Sequence, residues 1–412
     1  MKKIGIIGLG YVGLPLALLS SHKGLNTTGF DIDLHKINSY KQKKYLLNEP
    51  YLYEWNSNNV TFTNVIKDIL DCDIKIMCVP TPINSKKLPD LKYVIRASEM
   101  ITKNLKENDL VIIESTIHPG VCEEIINPIL EKSNKKYFLA HCPERINPGD
   151  KKWNVSNIPR VVGGINKTSA ELATNFYKKL DLNVITLNKI KEAEATKILE
   201  NTFRDINIAF INEMAQSFYK LGINIQEVIK GASTKPFGFM PHYPGVGVGG
   251  HCIAIDPYYM IQRGKEAGYN HLFLKLAREI NSNMPEHIVN IIQDELNLLN
   301  KPIKNTTIAI LGIAYKNNVA DDRESPSYEV IKLLKEKKAD LNIYDPYFLE
   351  KSNKKTLTTT IKDAEVIVLC TAHDEFIKNQ KEFVKAKIII DGRNKLNKEL
   401  FKNIVYRGVG IH

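Results

Sequence analysis

Residues 2–15 read KKIGIIGLGYVGLP, and this stretch predicts the fold of the first part of the chain. The apolar run that ends at Ile7 is typical of a buried strand. Gly8, Gly10 and Gly13 follow in GxGxxG spacing and open a predicted helix. In such a unit the first glycine permits a tight turn, the second lets a pyrophosphate approach the backbone, and the third allows close helix–strand packing. The alternative interpretation is a purely structural glycine turn.

An acidic residue, Asp31, ends the next predicted strand, roughly 20 residues beyond the glycines, as a dinucleotide site requires. Its carboxylate would accept hydrogen bonds from the ribose hydroxyls of an adenosine. A 2′-phosphate at the same place would meet a negative charge. The pattern therefore predicts NAD rather than NADP as the cofactor.

Further strand patterns lie outward from this stretch and alternate with helical ones. They read LNTTGFDID (25–33), CDIKIMCVPTP (72–82) and DLVIIEST (109–116). Alternation of this kind predicts a doubly wound parallel sheet. A long helical region then runs from about Lys191 to Leu221, and helical pattern continues through residues 271–299.

The strand patterns return near the C-terminus as TTIAILGIAY (306–315), ADLNIYDPY (339–347) and AEVIVLCTAHD (364–374). This internal repeat predicts an α/β fold with two Rossmann-like doubly wound domains joined by a long central helical region. We expect domains at residues 1–190, 191–300 and 301–412. The second repeat has one glycine where the first has three, so it predicts another nucleotide-like ligand, or none, rather than a second NAD.

Composition excludes several classes of protein. The six cysteines are scattered without a CxxC pair, which argues against a zinc site or a disulfide scaffold and favours the cytoplasm. The formal charge of +11 arises from dispersed lysines, so we expect no nucleic-acid binding. Apolar runs fall short of the length of about 20 residues that crosses a bilayer, so we expect no membrane insertion.

Cys252 lies at the end of a glycine-rich segment, GVGVGGHCIAIDPYY (245–259). One interpretation is a small apolar residue in a tight turn. The other is a nucleophile, because glycine amides lower a thiol's pKa and bare backbone admits a substrate carbon. With NAD, such a thiol suits a double oxidation: an alcohol becomes an aldehyde, the thiolate adds to it, and a second hydride transfer leaves a thioester for water to cleave.

That route needs a cation or amide donors at the developing oxyanion and a group that manages water. Lys197 and Asn201 stand four residues apart on the predicted central helix and share a face. Asp256 follows Cys252 by four residues and could orient a water. The alternatives are solvated surface for the first two and an Asx turn before Pro257 for the third.

Seven segments together resemble the UDP-sugar 6-dehydrogenase family. They read GLGYVGLP, CVPTPIN, ESTIHPG, HCPERINPG, EATKILENT, GVGVGGHCIAIDPYY and GIAYKNNVADDRESPS, and they span essentially the whole chain. The resemblance implies NAD-dependent oxidation of a sugar C6 alcohol to a carboxylate in two steps. TKPFGFMPHYPG (234–245) and CPERINPG (142–149) look most like the branch that acts on UDP-N-acetylglucosamine, with the UDP-N-acetylmannosamine branch next.

The resemblance also implies roles for individual residues. Cys252 would be the nucleophile, Lys197 and Asn201 would stabilise the oxyanions, and Asp256 would assist proton transfer. The residues expected to line the cofactor are Gly8, Gly10, Tyr11, Val12, Gly13, Asp31, Lys36, Pro80, Thr81, Pro82, Thr116 and Arg323. Those expected at the UDP-sugar are Glu144, which would also serve thioester hydrolysis, Arg145, Lys197, Asn201, Lys235, Tyr243, Gly249, Lys316 and Arg393. His251 is expected to be a substrate-loop residue, and no metal site is expected.

Two competing functions stay open at this point. A two-electron β-hydroxyacid-type dehydrogenase shares the layout but needs neither the thiol nor a second nucleotide domain. A non-enzymatic NAD-binding protein predicts the loss of Cys252, Lys197 or Asp256, all of which are present. The resemblance favours a homodimeric or higher homo-oligomeric dehydrogenase that supplies surface polysaccharide or glycan synthesis, and it leaves the hexosamine epimer open.

Overall fold

The computed structural model describes residues 2–47, 51–55, 59–84, 88–146, 152–250 and 253–412. The chain divides into two compact units. The first comprises Met1–Glu200 with Tyr258–Tyr269, and the second comprises Asn201–Pro257 with Asn270–His412. The boundary between Glu200 and Asn201 falls inside one long helix, so the predicted division into three domains at 190 and 300 stays a prediction.

The first unit is built on an eight-stranded sheet within the described residues. Its strands are β1 (Ile4–Ile7), β2 (Thr27–Phe30), β3 (Val60–Thr63), β4 (Ile74–Met77), β5 (Asp109–Ile113), β6 (Tyr137–His141), β7 (Arg160–Gly164) and β8 (Val184–Thr186). The connecting helices are α1 (Gly13–His22), α2 (Leu34–Lys41), α3 (Tyr51–Glu54), α4 (Lys67–Leu70), α5 (Lys92–Thr102), α6 (Asn127–Glu131) and α7 (Lys167–Lys178), with a π-helical turn over Cys122–Ile126.

The strand order is β3-β2-β1-β4-β5-β6-β7-β8. Its first six strands are parallel and follow the dinucleotide-binding order 3-2-1-4-5-6. Every residue of β1, β4 and β5 is buried, because helices cover both faces of the sheet. The strand β7 reverses direction and pairs antiparallel with β6. The predicted doubly wound sheet is therefore confirmed, with an antiparallel extension that the sequence did not indicate.

The helical region that joins the sheets is confirmed as well. It contains α8 (Ile190–Lys220), α9 (Ile225–Ala232), α10 (Asp256–Glu266) and α11 (Leu272–Leu298). Pro285 lies inside α11. Within the residues that the structure describes, every helix is too short or too polar to cross a bilayer.

A second parallel sheet forms the C-terminal part of the second unit, with strand order β10-β9-β11-β12-β13. Its elements are β9 (Thr307–Leu311), α12 (Pro326–Glu336), β10 (Asp340–Tyr344), α13 (Leu357–Ile361), β11 (Val366–Leu369), α14 (Asp374–Lys378), β12 (Ile388–Asp391) and β13 (Val405–Gly408), with 3₁₀ turns over Gln380–Lys385 and Lys398–Phe401. The order 2-1-3-4-5 belongs to doubly wound sheets, whose ligands bind at the carboxyl ends of the strands where the order reverses, here between β9 and β11.

The two sheets repeat one local device, as the internal sequence repeat predicts. Gly8 follows β1 with a φ of +93°, and Gly312 follows β9 with a φ of +100°. Each glycine donates its backbone N–H to the last residue of the neighbouring strand, Phe30 at 2.8 Å and Tyr344 at 2.9 Å. The shared geometry places equivalent turns at the carboxyl ends of both sheets.

Candidate functional site

The glycine loop after β1 has the geometry that a dinucleotide needs. Gly8 lies in the left-handed region, which residues other than glycine rarely adopt. A Cβ on Gly13 would lie 1.9 Å from the carbonyl oxygen of Gly8, so only glycine lets α1 approach the strand this closely. A Cβ on Gly10 would meet nothing within 4 Å, which leaves open space in front of the backbone. The cradle therefore fits a pyrophosphate at the N-terminus of α1.

Asp31 is buried at the end of β2 and holds this loop. Its Oδ2 accepts a hydrogen bond from the Leu9 N–H at 2.9 Å, and its Oδ1 accepts one from the Asp33 N–H at 3.0 Å. Lys36 Nζ lies 3.5 Å from Oδ2. Oδ1 keeps a further lone pair, so Asp31 fits the predicted role as an acceptor for a ribose hydroxyl. Tyr40, which the sequence did not single out, donates its hydroxyl to the Leu9 carbonyl at 3.2 Å.

The predicted Pro80–Pro82 segment follows β4 and is held by two hydroxyl groups. Tyr259 in α10, within the first unit, donates to the carbonyl of buried Thr81 at 2.5 Å. Ser115, after β5, donates to the Val79 carbonyl at 2.8 Å. Thr116, the next residue, is half-buried. These contacts fix the backbone at the carboxyl edge of the sheet, where the order of the strands places a dinucleotide.

Glu144 lies at the same edge, just after β6, and its carboxylate is nearly buried. Oε1 accepts hydrogen bonds from the N–H groups of Arg145 at 2.6 Å and Ile146 at 2.7 Å. Oε2 accepts from Nη1 of Arg160 at 2.6 Å. The carboxylate that the sequence proposes for hydrolysis is thus held by one buried cation and two backbone amides.

Arg160 also contacts a second carboxylate, Glu114, through the same nitrogen at 3.3 Å. Tyr177 of α7 donates its hydroxyl to Glu114 at 2.5 Å, and its ring lies 5.5 Å from the guanidinium carbon of Arg160. All three side chains are fully buried. Burial raises the pKa of Glu114 to about 7, against the opposing effect of the Arg160 charge.

The antiparallel strand β7 explains why the sequence did not reveal this cluster. His141 of β6 pairs with Gly163 of β7, so Arg160, the first residue of β7, lies beside the segment that leaves β6. A parallel strand would have placed its first residue at the opposite edge of the sheet. Arg145 is held differently, because Nη2 and Nε contact Glu200 of α8 at 2.5 and 3.1 Å.

Lys197 and Asn201 both lie on α8, one helical turn apart, and both are buried, with 7% and 4% of their surfaces exposed. Within the second unit, Asn201 Nδ2 donates to Asp256 Oδ2 at 2.5 Å, and Asp256 begins α10. The structure therefore joins two of the predicted catalytic side chains. Cys252 and His251 lie outside the described residues.

The glycine segment ahead of Cys252 is tied to the central helices by buried amides. The Gly245 N–H donates to Asn212 Oδ1 at 3.0 Å, and Asn212 donates to Asn281 Oδ1 of α11 at 2.9 Å. Asn281 in turn donates to Asp205 Oδ1 at 2.8 Å, which also accepts from Arg278 at 2.5 Å. None of these four polar residues belongs to a motif in the sequence, although their burial on facing helices makes the contacts obligatory.

The same segment packs against the loops that follow β9, also within the second unit. A Cβ on Gly249 would lie 2.7 Å from the Glu324 carbonyl oxygen, and one on Gly250 would lie 2.8 Å from the Tyr315 ring. The Gly250 N–H donates to the Arg323 carbonyl at 3.0 Å. These glycines are therefore required by close packing, and the interpretation of the run as bare backbone for a substrate is incomplete.

The carboxyl edge of the second sheet carries Lys316 and Arg393. Lys316 is half-buried in the loop after β9, and Arg393 follows β12 with its Nε donating to the Cys370 carbonyl at 2.7 Å. Both stand near the reversal of strand order, where a nucleotide is expected. Arg323 forms a two-point ion pair with Asp321, at 2.9 Å from Nε and 2.6 Å from Nη2.

Asp345 in the second repeat matches Asp31 in the first. Its Oδ2 accepts from the Ile313 and Ala314 N–H groups at 2.6 and 2.8 Å and lies 3.1 Å from His373 Nε2. Asp345 is fully buried, and Ala314 occupies the position of the open Gly10. This half therefore lacks the open cradle of the first, as its missing glycines predict.

Two predicted substrate contacts lie at the surface of the second unit. Lys235 is exposed, with its ammonium 4.9 Å from the Phe237 ring centroid. Tyr243 is 53% exposed, and Lys395 lies 5.7 Å from its ring centroid. Neither geometry tests the predicted role of these residues.

Comparison with known families agrees with this arrangement along most of the chain. Three models of the UDP-glucose/GDP-mannose dehydrogenase family match in order: its NAD binding domain over residues 2–181, its central domain over 191–283 and its UDP binding domain over 309–398. The chain belongs to the UDP-glucose/GDP-mannose dehydrogenase family. The predicted family resemblance, the NAD cofactor and the α/β fold class are confirmed.

Individual members of this dehydrogenase family resemble the chain over nearly its full length. The UDP-N-acetyl-D-mannosamine dehydrogenase of Methanococcus maripaludis (strain S2/LL) is 39% identical, with 98% of this chain and 95% of the relative covered. The UDP-N-acetyl-D-glucosamine 6-dehydrogenase of Pseudomonas aeruginosa is 36% identical, with 91% of each chain covered. The solved structure of a UDP-N-acetyl-D-mannosamine dehydrogenase from Pyrococcus horikoshii is 33% identical, covers 99% of both chains and has a TM-score of 0.92.

The family assignment fits the geometry of each unit. The glycine loop, Asp31 and the Glu144 cluster fall in the NAD binding domain, and Lys316 and Arg393 fall in the UDP binding domain. As a member of this family, the chain is an NAD-dependent UDP-sugar dehydrogenase.

Proposed function

We propose that this dehydrogenase oxidises the C6 hydroxyl of a UDP-N-acetylhexosamine to a carboxylate, with two NAD consumed for each sugar. The observation that carries the proposal is the buried hydrogen bond between Asn201 and Asp256. Asp256 lies four residues after Cys252 in the sequence. A buried amide and carboxylate at this place support a thiol-dependent oxidation rather than a simple alcohol dehydrogenase. The Lys197 ammonium, one helical turn from Asn201, adds a cation to the same helix face.

NAD supplies the hydride acceptor for both oxidations. The first oxidation converts the C6 alcohol to an aldehyde and releases a proton. The Cys252 thiolate then adds to the aldehyde carbon, and the resulting oxyanion is stabilised by the Lys197 ammonium and the Asn201 amide. Loss of the second hydride leaves a thioester on Cys252, and one water molecule cleaves it to the uronic acid and the free thiol.

Glu144 is the candidate that activates this water. Its Oε2 is bound by Arg160 and its Oε1 by two backbone N–H groups, so the carboxylate is held in one orientation. Asp256 is the candidate for proton transfer at the thiol and the alcohol. The Asn201 amide orients its carboxylate through a bond of 2.5 Å.

The sugar is the finer part of the proposal. Five relatives named UDP-N-acetyl-D-mannosamine dehydrogenase match at 35–39% identity, and they favour UDP-N-acetylmannosamine as the substrate. UDP-N-acetylglucosamine, which the sequence segments favour, is the second candidate, because the glucosamine 6-dehydrogenase of Pseudomonas aeruginosa is 36% identical. Either product would be an acidic sugar suited to surface polysaccharide synthesis.

We further propose a homodimer through the central helices. Phe203 and Phe210 of α8 are 47% and 54% exposed, and Leu276 of α11 is 52% exposed, all within the second unit. Large apolar side chains grouped on two helices support a protein interface.

Light scattering should give twice the chain mass, and a Phe210→Glu variant should give the single mass. A wild-type monomer at micromolar concentration would overturn this proposal.

The function is tested by counting NADH per sugar with purified protein. UDP-N-acetylmannosamine, UDP-N-acetylglucosamine, UDP-N-acetylgalactosamine and UDP-glucose are supplied separately with NAD. We expect two NADH per sugar for one acetylated substrate. Cys252→Ala should abolish turnover or stall it after one NADH, and Asp256→Asn should lower kcat by about 100-fold or more.

The controls separate the competing functions. Cys370→Ala alters another cysteine of the chain, buried in the second sheet, and should keep the ratio at two. One NADH per sugar, or full activity in Cys252→Ala, would favour the two-electron dehydrogenase instead. Binding of NAD without turnover of any UDP-sugar would favour the non-enzymatic alternative.

A further inference from the structure

We propose that Glu114, Arg160 and Tyr177 form a positioning network that orients Glu144 and adjusts its strength as a base. This inference rests on the proposed role of Glu144 in thioester hydrolysis. The network is contained in the first unit, and its three members and Glu144 come from four separate segments of the chain. Its function follows from how the single cation is shared between two carboxylates.

The two carboxylates share one nitrogen atom. Nη1 of Arg160 lies 2.6 Å from Glu144 Oε2 and 3.3 Å from Glu114 Oε2. Among the residues that the structure describes, Nε and Nη2 of Arg160 have no hydrogen-bond partner. Both carboxylates therefore interact with the N–H groups of one nitrogen atom, Nη1. A change in the charge of one carboxylate alters how strongly Arg160 binds the other.

Glu114 is an acid whose charge changes near neutral pH. It is 1% exposed, and burial raises its pKa to about 7, opposed by Arg160 and supported by repulsion from Glu144. The Tyr177 hydroxyl donates to Oε1 at 2.5 Å and stabilises the ionised form. Nearby, the thiols of Cys78 and Cys142 have pKa values raised by burial and stay neutral, and burial lowers the pKa of His141 to about 3.

The direction of the effect follows from these charges. Below neutral pH, Glu114 is protonated and the Arg160 charge is available to Glu144 alone, which makes Glu144 a weaker base. As the pH rises through about 7, Glu114 ionises and two carboxylates compete for one cation. Glu144 then attracts the proton of a bound water more strongly, so hydrolysis accelerates.

The test uses two measurements on wild type and on Glu114→Gln, Tyr177→Phe and Arg160→Lys. The first is the pH dependence of uronic acid release in a single turnover. We expect a rise near neutral pH that Glu114→Gln removes. Tyr177→Phe should move that rise upward by about one pH unit, the value of one hydrogen bond to a charged group. Arg160→Lys retains the charge and should keep the rise while lowering the rate.

Tyr137→Phe is the matched control, because Tyr137 of β6 donates its hydroxyl to Asn127 away from the network. Its pH profile should coincide with that of the wild type. A Tyr177→Phe profile that also coincides with wild type would overturn the inference. A mere loss of folding stability would lower the rate at every pH without moving the midpoint.

The second measurement requires no turnover. Infrared titration is done on ¹³C-glutamate-labelled Glu194→Gln protein, because Glu194 of α8 is another buried glutamate whose pKa is raised to about 7. It should show a carboxyl group that ionises near neutral pH, which adding Glu114→Gln removes and adding Tyr177→Phe displaces upward. If wild type forms only one NADH per sugar, the proposed function fails, and this titration still decides whether the two acids are coupled. If wild type forms two NADH but no carboxyl titrates near neutral pH in the Glu194→Gln protein, the function stands and the network does not.

Discussion

Lys197 lies in an environment that suits a bound anion. Only 7% of its surface is exposed, and it forms no ion pair with any residue in the described part of the chain. Lysine is almost never buried to this extent unless its charge is paired or used, so the burial supports the role proposed above. In the proposed mechanism, its position one helical turn from Asn201 would serve an oxyanion that forms only during the reaction.

Two glycines of the loop after β1 should respond differently to substitution by alanine. Gly10→Ala places a methyl group in open space, whereas Gly13→Ala places one 1.9 Å from the Gly8 carbonyl oxygen. Gly10→Ala should change the free energy of unfolding by less than about 1 kcal/mol and weaken NAD binding more than tenfold, because the methyl group meets the pyrophosphate. Gly13→Ala should lower the free energy of unfolding by about 2 kcal/mol or more in the absence of ligand.

Thermal unfolding and calorimetric NAD titration check both expectations. The contrast fails if Gly10→Ala binds NAD as tightly as wild type, or if it unfolds as readily as Gly13→Ala. Either result would show that the loop is a structural turn rather than a cofactor cradle.

At the scale of the elements, Glu194 attaches α8 to the first sheet domain. Its carboxylate is fully buried and accepts hydrogen bonds from the N–H groups of Gly120 at 2.6 Å and Cys122 at 2.8 Å. These amides begin the π-helical turn that leads into α6. The buried carboxylate of Glu194 thus accepts hydrogen bonds from N–H groups at the start of a helical turn, which have no acceptor within the turn itself.

This attachment predicts a pH dependence of stability. Burial raises the pKa of Glu194 from 4.5 to about 7 in the folded protein. The folded state then binds more protons than the unfolded state between these values, so the free energy of unfolding falls as the pH rises from 4.5 through 7. Glu194→Gln cannot ionise and should remove about 1–3 kcal/mol of that fall between pH 5 and 8.

Urea unfolding at pH 5 and pH 8 measures the difference between wild type and variant. Glu192→Gln is the control, since Glu192 lies on the same helix but is exposed, and it should follow wild type at both values. An unchanged pH dependence in Glu194→Gln would mean that the carboxyl titrates at its ordinary pKa.

The contact between α8, α11 and the glycine segment gives a second element-scale prediction. Asn212→Ala removes the acceptor of the Gly245 N–H and the donor to Asn281. We expect the free energy of unfolding to fall by about 1–3 kcal/mol. We also expect the KM for the UDP-sugar to rise about tenfold, because the segment before Cys252 is no longer held.

Hydrogen exchange of the amides in residues 243–250 measures the expected loosening. Asn207→Ala is the control, because Asn207 lies on α8 and donates Nδ2 to the Phe203 carbonyl of its own helix. If the exchange rates of the two variants agree, Asn212 does not hold the segment.

At the scale of the whole molecule, the chain boundary between the two compact units falls within α8, and the NAD binding and UDP binding domains of the family lie in different units. We expect calorimetry to resolve two unfolding transitions. NAD should raise the transition of the first unit and UDP that of the second, each by about 2.7 kcal/mol of stability at a ligand concentration 100 times its Kd. One transition raised equally by both ligands would show that the units unfold together.

The sequence by itself determined the α/β class, the internal repeat, the glycine loop and Asp31, because strand–turn–helix signals are local and glycine spacing reports backbone geometry directly. Family resemblance and local spacing also brought Asn201 and Asp256 forward as separate catalytic candidates, and the structure added the hydrogen bond that joins them. Only the tertiary structure decided that Arg160 meets Glu144 and Glu114, and that Asn212 holds Gly245. Those contacts join residues 16 to 46 positions apart in the first case and 33 in the second. They depend on the reversed direction of β7 and on the packing of α8 against α11, which no local pattern encodes.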